Sequence, residues 1–159
     1  MTNTRMDGHR WDSALDPQVV PLFLALQWAH ARSLDSMRPP LVRHGLSLAE
    51  FDVLATLRNT PRPHEATPSR IQDEMVITSG GLTKLMRQLE VRGLVRRLQF
   101  EDDLRVKPVR LTPKGARLIE TVMAEAVGLT GDWIKSALDA AEIELLTALL
   151  TKCAEAPVR

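Results

Sequence analysis

A cluster of basic residues is the part of the sequence whose residue types could do chemistry. Between Gly80 and Arg117 there are ten basic and four acidic residues, a net charge of +6, although the whole chain of 159 residues carries only +1. The remainder of the chain is therefore acidic overall. A positive region of this kind attracts polyanions such as nucleic acid. Charge alone also fits a solvated helix face, so the elements that carry these residues must decide between the two.

Catalytic and metal-binding chemistry find little support in the sequence. Glu101, Asp102 and Asp103 could act as paired carboxylates, but no nucleophile or glycine-rich phosphate loop accompanies them. The four histidines are scattered without an i, i+4 pair, and Cys153 is the only cysteine. These patterns disfavour a metal site and exclude an internal disulfide. We expect no catalytic residue, no metal and no cofactor, and hence no enzyme.

The composition is that of an ordinary soluble globular protein. Hydrophobic residues make up 44% and charged residues 26% of the chain, whose length suits one domain with at most a short appendage. The longest apolar run, 19–26, is too short to span a bilayer. Residues 1–10 contain no hydrophobic segment of the kind found in signal peptides. We therefore expect a cytoplasmic protein without a membrane partner.

Two helices are predicted in the first part of the chain. Apolar residues at three-to-four spacing predict a long helix over 15–41, and Pro39 and Pro40 should kink or interrupt its last turn because each removes a backbone donor. Ser47 and Glu50 match a capping box, which predicts a second helix over 48–58. The prolines of 59–66 indicate a loop.

A second group of elements follows the loop. Thr67-Pro68 predicts the start of a short helix ending near residue 75. After a tight turn, Thr78 or Ser79 should cap a further helix that ends near Arg92. That helix has one apolar stripe and an opposite, mostly cationic face. Two strands are predicted over 94–100 and 106–111, the second an edge strand with a free side because of Pro108. Long helices are predicted over 112–136 and 140–153, with apolar faces that favour packing against other helices.

This order predicts a winged helix-turn-helix. The expected fold is mainly α with a small β-hairpin wing, in which 46–112 binds DNA while 1–45 and 113–159 form the dimerisation helices. A helix fits the major groove of duplex DNA, and the tip of the hairpin can reach the adjacent minor groove. Small residues at the start of the cationic helix should allow its backbone to approach DNA closely. Thr83, Lys84 and Arg87 should then face base edges and the DNA backbone. At the tip of the hairpin, Asp103 could pair with Arg105 and hold its direction. The candidate DNA-binding residues are Ser69, Ser79, Gly80, Thr83, Lys84, Arg87, Asp103 and Arg105.

These residues carry a close resemblance to the MarR family of dimeric bacterial regulators. The matching segments are LSLAEFDVLATL (46–57), TPSRIQDEM (67–75), TSGGLTKLMRQLEVRGLVRR (78–97) and DLRVKPVRLTPKG (103–115). The sequence departs from the family where Glu101 and Asp102 replace a turn that often contains proline, and where Pro108 lies in the returning strand. The resemblance implies a homodimer that binds a pseudo-palindromic operator as a repressor. The wide apolar faces of the flanking helices independently favour a partner subunit as their cover.

The same resemblance implies a ligand. Many members release DNA when a small aromatic or phenolic anion binds between the winged domain and the dimer region, and the candidates here are Trp11, Trp28, Asp52 and Arg97. Trp11, Asp52 and Arg97 are carried over from the urate-responsive branch of the family. Trp28 is also compatible with a core position, Asp52 with a cap or ion pair, and Arg97 with a phosphate contact. The alternative function is a dimeric winged-helix module that binds protein instead of sequence-specific DNA.

Overall fold

The computed structural model describes residues 15–75, 81–98 and 108–157, and these are mostly helical with one small antiparallel sheet. The fold class predicted from the sequence is therefore confirmed. In chain order the elements are α1 (Val19–Arg43), α2 (Leu48–Asn59), β1 (Glu65–Ala66), α3 (Pro68–Glu74), α4 (Leu82–Val91), β2 (Val95–Arg97), β3 (Val109–Leu111), α5 (Pro113–Ala137) and α6 (Ala140–Glu155). No helix within these three ranges is long and apolar enough to cross a membrane.

Helix α1 is not interrupted by its two prolines. It runs through Pro39 and Pro40 as far as Arg43, so an interruption of its last turn is excluded, while the alternative of a kink stays a prediction. A proline lacks the donor but keeps its carbonyl, and the Pro40 carbonyl accepts the N–H of His44 at 3.1 Å. Pro40 and Leu41 are also buried, so packing holds the last turn in helical form.

Three helix starts follow their predicted caps. Ser47 and Glu50 form the reciprocal capping box of α2. The hydroxyl of Thr67 accepts the Arg70 N–H at the start of α3, and that of Thr112 accepts a backbone N–H in the first turn of α5. Because each cap satisfies backbone donors that the first turn leaves without a helical partner, these starts are set by local sequence.

The sheet has the order β1-β3-β2, so β3 is its central strand. The prediction that the strand over 106–111 is an edge strand with a free side is therefore wrong: β1 pairs with β3, placing Glu65 opposite Arg110. Pro108 lies just before β3, where its missing donor leaves the ladder intact and its carbonyl accepts the Leu98 N–H at 2.8 Å. The prediction of a loop over 59–66 misses β1, because a two-residue strand has no alternation to detect. The predicted tip of the wing lies outside the described residues.

One hydrophobic core joins the small helices, the sheet and α5. Its fully buried side chains include Leu54 and Leu57 of α2, Ile71 of α3, Leu89 of α4 and Ile119 of α5. Helix α1 packs along α5 and adds Leu41 to this core. Helix α6, by contrast, contains no buried residue. The core therefore fixes α4 on the surface of the domain, whereas the described part of the chain leaves α6 without a cover.

Candidate nucleic-acid interface

Helix α4 divides into a buried and a charged face. Leu82, Met86 and Leu89 are buried in the core. Thr83 and Lys84, together with Arg87 one turn later, lie on the other side of the helix and reach solvent. The spacing that predicts an apolar stripe with a cationic face opposite is thus found in the structure, and three of the predicted DNA-binding residues lie together on one helix.

The start of α4 differs from the prediction. Gly81 is the N-cap residue and has a left-handed backbone, with φ of +76°. An α-helix cannot continue through that conformation, which glycine adopts at little cost. The helix therefore begins at Leu82, and the expectation that Thr78 or Ser79 caps it is wrong. Ser79 and Gly80 precede the helix and lie outside the described residues, as do Asp103 and Arg105.

Lys84 and Arg87 differ from the neighbouring arginines in whether a carboxylate lies beside them. Within 15–75, 81–98 and 108–157, Lys84 and Arg87 form no ion pair, whereas Arg92, Arg97 and Arg110 are each paired with a glutamate. A paired cation has most of its field cancelled by the neighbouring carboxylate, and an unpaired one does not. The outer face of α4 is consequently a positive surface available to an anion.

Ser69, the candidate on the preceding helix, is exposed. It is the second residue of α3, directly after Pro68, and α3 packs against α4. The described members of the DNA-binding set therefore lie on two consecutive, packed helices, as a helix-turn-helix requires.

A groove beside α4 contains residues that the sequence does not single out for DNA binding. It has a volume of about 680 Å³ and is lined by Lys84 and Arg87 together with Ser47, Glu50 and Arg92. The Arg92 guanidinium donates to Glu50 Oε1 at 2.7 Å. These two residues are 42 positions apart, so no local pattern could have paired them. The capping box by itself assigns Glu50 only to the start of α2.

Comparison with known proteins places this site in a family. A sequence model of the MarR family matches residues 46–107. The regulator PecS of Dickeya dadantii (strain 3937) is 38% identical over 96 residues, which are 60% of this chain and 56% of PecS. An uncharacterized HTH-type transcriptional regulator of Bacillus cereus is 30% identical over 112 residues, covering 70% of this chain and 72% of that regulator. The chain belongs to the MarR family.

Solved structures share the fold of this MarR-family chain. A mutant of MarR from E. coli, complexed with operator DNA, superposes with a TM-score of 0.72 at 24% identity, covering 86% of this chain and 95% of that one. BpsR of Bordetella bronchiseptica, whose DNA binding is regulated by 6-hydroxynicotinic acid, gives a TM-score of 0.73 at 23% identity, covering 94% and 100%. At this identity the likeness concerns the fold. MarR-family members are transcription regulators, which confirms that the chain is not an enzyme.

A cavity between α1, α2 and α5 has a volume of about 330 Å³ and a mostly apolar wall. Met37 of α1, Phe51 of α2 and Met123 of α5 contribute to it. Thr130 is the polar member of the described lining, and its hydroxyl is 2.8 Å from that of Ser36. The volume and the apolar surface suit a small ring.

The predicted ligand-binding residues of this MarR-family chain lie on three different elements. Trp28 is half-buried on α1, and Asp52 is buried on α2 with 6% of its surface exposed. Arg97 is exposed on β2, where its guanidinium lies 3.5 Å from a carboxylate oxygen of Glu90. Trp11 lies outside the described residues. None of the three described residues lines the α1–α2–α5 cavity, so their role in ligand binding stays a prediction.

The end of α1 is tied to α5 by a carboxylate. Glu125 is hydrogen-bonded to the His44 imidazole at 2.9 Å and paired with the Arg43 guanidinium at 2.7 Å. The hydrogen bond to His44 and, to a smaller extent, the positive charge of Arg43 hold the pKa of Glu125 below its ordinary value, against the opposing effect of partial burial. This contact helps to hold α1 against the helix that follows the wing.

Proposed function

We propose that the chain is a homodimeric transcription regulator that binds a pseudo-palindromic DNA operator through α4 and is released by a small aromatic anion. The observation that carries the proposal is the positive outer face of α4, held outward by a buried stripe on the same helix. Lys84 and Arg87 form that face. The ten-residue length of α4 corresponds to about 15 Å, a length that the major groove accepts. The MarR structure with operator DNA supports this use of the fold.

The salt dependence of operator binding tests the proposal. A duplex selected from a random library should bind the full chain with an affinity that falls steeply with salt, because cations on the protein displace counterions from phosphates. Lys84→Ala and Arg87→Ala should each weaken binding, and the slope of log K against log salt should shrink by about 1 for each phosphate that is no longer neutralised. Lys135→Ala removes a surface cation near the end of α5 and should leave the slope unchanged.

The opposite outcome would identify the alternative function. A flat salt response of the unmodified chain, together with an Arg87→Ala variant that binds its partner normally, would contradict DNA binding. That result would favour a winged-helix module that binds protein.

An uncovered apolar surface supports the homodimer. Four leucines of α6 are between 40% and 61% exposed: Leu145, Leu146, Leu149 and Leu150. Apolar residues in the first half of α1 are similarly exposed, and a groove of about 540 Å³ runs between α1, α5 and α6. An apolar stripe of this extent needs a cover, and a two-fold related copy offers the same helices in return.

Sedimentation tests the dimer. The unmodified chain should sediment as a dimer at micromolar concentration, and the double variant Leu146→Glu/Leu149→Glu should be monomeric because each buried charge would lack a partner. Val42→Glu changes an exposed apolar residue at the other end of α1 and should remain dimeric. A stable monomer of the unmodified chain would contradict the proposal.

The α1–α2–α5 cavity supports the proposed aromatic ligand. Its apolar wall suits an aromatic ring. Arg97 lies on β2 outside the lining of this cavity, and its proposed role is bidentate recognition of an anionic group once it leaves Glu90. The predicted contacts with Trp11, Trp28 and Asp52 also lie outside the described lining and belong to the same proposal. The compound that regulates BpsR, 6-hydroxynicotinic acid, is an aromatic acid of the expected class.

Titration tests the ligand with two probes, 6-hydroxynicotinate and urate. At least one should change tryptophan fluorescence, raise the melting temperature and release the operator, since a ligand that prefers the folded state stabilises it. Thr130→Val and Arg97→Gln should weaken these responses, whereas Lys135→Ala should not. If neither probe changes any of the three signals, the proposed ligand class is wrong.

Repression is the proposed outcome of operator binding. A dimer bound at a promoter blocks access of RNA polymerase to the same stretch of DNA. In vitro transcription from a template carrying the operator should therefore fall as the protein is added and recover with the releasing ligand. A rise in transcript on adding the protein would indicate activation.

A further inference from the structure

A buried carboxylate holds the C-terminal end of α4. Glu50 lies in the first turn of α2 and is almost fully buried. Its Oε2 accepts the N–H of Ser47 at 2.8 Å, which completes the capping box, while Oε1 accepts the Arg92 guanidinium at 2.7 Å. Capping α2 needs only one of these oxygens, and the second links α2 to α4.

The same end of α4 is also bound to α5. Arg92 is the C-cap residue of α4, and its carbonyl accepts a hydrogen bond from the Lys114 ammonium at 2.9 Å. The hydroxyl of Thr112 donates to the next carbonyl, that of Gly93, at 2.8 Å. Two helices that do not belong to the helix-turn-helix therefore anchor the end of α4 that lies away from Gly81.

We infer that Glu50 is a positioning residue for DNA binding, which acts by fixing Arg92 and through it the direction of α4. This inference depends on the proposed function, because it concerns how α4 meets DNA. The N-cap residue of α4 is Gly81, which has no side chain and therefore provides no side-chain cap. The orientation of the helix is then set by its buried stripe and by the contacts at its C-terminal end.

A small change in direction at the C-terminal end of α4 displaces its N-terminal end by a larger distance. Over a helix of about 15 Å, a tilt of about 5° moves the far end by about 1.3 Å, which exceeds the tolerance of a hydrogen bond between side chain and base. A charge-assisted hydrogen bond in a half-buried setting gives stronger directional control than apolar contacts, which allow sliding. The Glu50–Arg92 pair is placed to suppress this tilt.

An electrostatic role and a positioning role of Glu50 predict opposite effects of Glu50→Gln on DNA affinity. Glu50 is an acid in the groove that also contains Lys84 and Arg87. If its charge alone mattered, Glu50→Gln would remove a repulsion towards phosphate and tighten DNA binding. If Glu50 positions α4, Glu50→Gln weakens operator binding, because the glutamine keeps the capping acceptor for Ser47 but loses the charge that holds Arg92.

The experiment measures binding of the full-length chain to its selected operator and to an unrelated duplex by fluorescence anisotropy, with melting curves for every variant. Glu50→Gln should weaken operator binding by about tenfold, the size of a coupling between neighbouring residues. Binding to the unrelated duplex should stay unchanged or tighten, and the salt slope should not shrink, because phosphate attraction does not require an aligned helix and Glu50→Gln removes an acid from the groove. Retained binding to the unrelated duplex would not follow from a general loss of folded protein, which would weaken binding to both duplexes.

A double-mutant cycle and a matched control complete the test. Arg92→Gln should also weaken operator binding, and Glu50→Gln/Arg92→Gln should be no weaker than Arg92→Gln alone because the two residues act as one unit. Glu120→Gln breaks a more exposed pair, with Arg58 at 2.8 Å, that joins α2 to α5 without reaching α4. This control should leave operator affinity unchanged.

Operator binding by Glu50→Gln that equals or exceeds that of the unmodified chain would overturn the inference. If Glu50→Gln is unfolded at the assay temperature, Arg92→Lys decides instead, since it leaves the cap intact and keeps the charge but loses the guanidinium geometry. A loss of operator affinity in Arg92→Lys then supports the inference, and normal affinity refutes it. Failure of the unmodified chain to bind any duplex would refute the proposed function itself.

Discussion

Replacing Gly115 by alanine should destabilise the protein through one steric overlap. Gly115 is buried in the first turn of α5, where its N–H donates to the Thr112 hydroxyl at 3.0 Å. A Cβ at this position would overlap the carbonyl oxygen of Leu94 and lie 2.9 Å from the carbonyl carbon and 3.0 Å from Leu111 Cδ1. The Leu94 oxygen is backbone and also accepts the N–H of Thr112 at 3.1 Å, so it cannot move away without disturbing the start of α5.

The magnitude follows from two opposing effects. In a helix, alanine is favoured over glycine by about 0.5–1 kcal/mol. Forcing extra volume against buried backbone costs about 1–3 kcal/mol. We expect a net loss of about 1 kcal/mol in the free energy of unfolding, which for a chain of this size lowers the melting temperature by about 2–4 °C.

Thermal unfolding followed by circular dichroism measures this loss. The chain concentration must be the same for each variant, because dimerisation couples the melting temperature to concentration. Gly128→Ala is the matched control: it lies in the same helix, and its Cβ would meet no atom of the described residues within 4 Å. Gly128→Ala should keep or raise the melting temperature. If Gly115→Ala melts at or above the temperature of the unmodified chain, the packing argument is refuted.

Three further predictions concern other positions. The pKa of Glu125 is lowered in the folded state, so its ion pair stabilises the fold above the ordinary carboxylate pKa and loses this effect as the pH falls through the lowered value. The stability advantage over Glu125→Gln should thus be present at neutral pH and vanish in acid, and urea unfolding at both pH values would contradict this if the difference stayed constant. Gly81→Ala should cost about 1–2 kcal/mol because φ is +76° there, and an unchanged urea midpoint would speak against a left-handed residue at that point. Ser47→Ala should cost about 1 kcal/mol and Ser47→Asp much less, and equal losses in both would exclude the cap as the cause.

Features that depend on neighbouring residues can be predicted. The capping box of α2 and the Thr-Pro starts act within four residues, and the buried stripe of α4 follows from its own periodicity. The start of α4 is misplaced by sequence reasoning because nothing in the composition distinguishes Gly81 in a left-handed conformation from a glycine inside the first turn. The pairing of β1 with β3 is missed for another reason. A two-residue strand exists only through its backbone pairing with β3, where Glu65 lies opposite Arg110, 45 positions away.

The candidate nucleic-acid interface also has some features that the sequence predicts and others that it does not. That Lys84 and Arg87 share an outer face could be predicted because helical periodicity sets it. That Arg92 is neutralised by Glu50, whereas Lys84 and Arg87 stay unpaired within the described residues, could not. A count of charges along the sequence does not distinguish a paired cation from an unpaired one.

The amino-acid sequence alone determines where most of the helices begin, which of their faces are apolar and which segments are cationic. These features depend on hydrogen bonds and residue spacings that extend over only a few residues. The tertiary structure alone decides which cations are compensated, which strand covers the free side of β3 and which carboxylate holds the end of α4. Those contacts join residues far apart in the chain, and they form only once the core has brought them together.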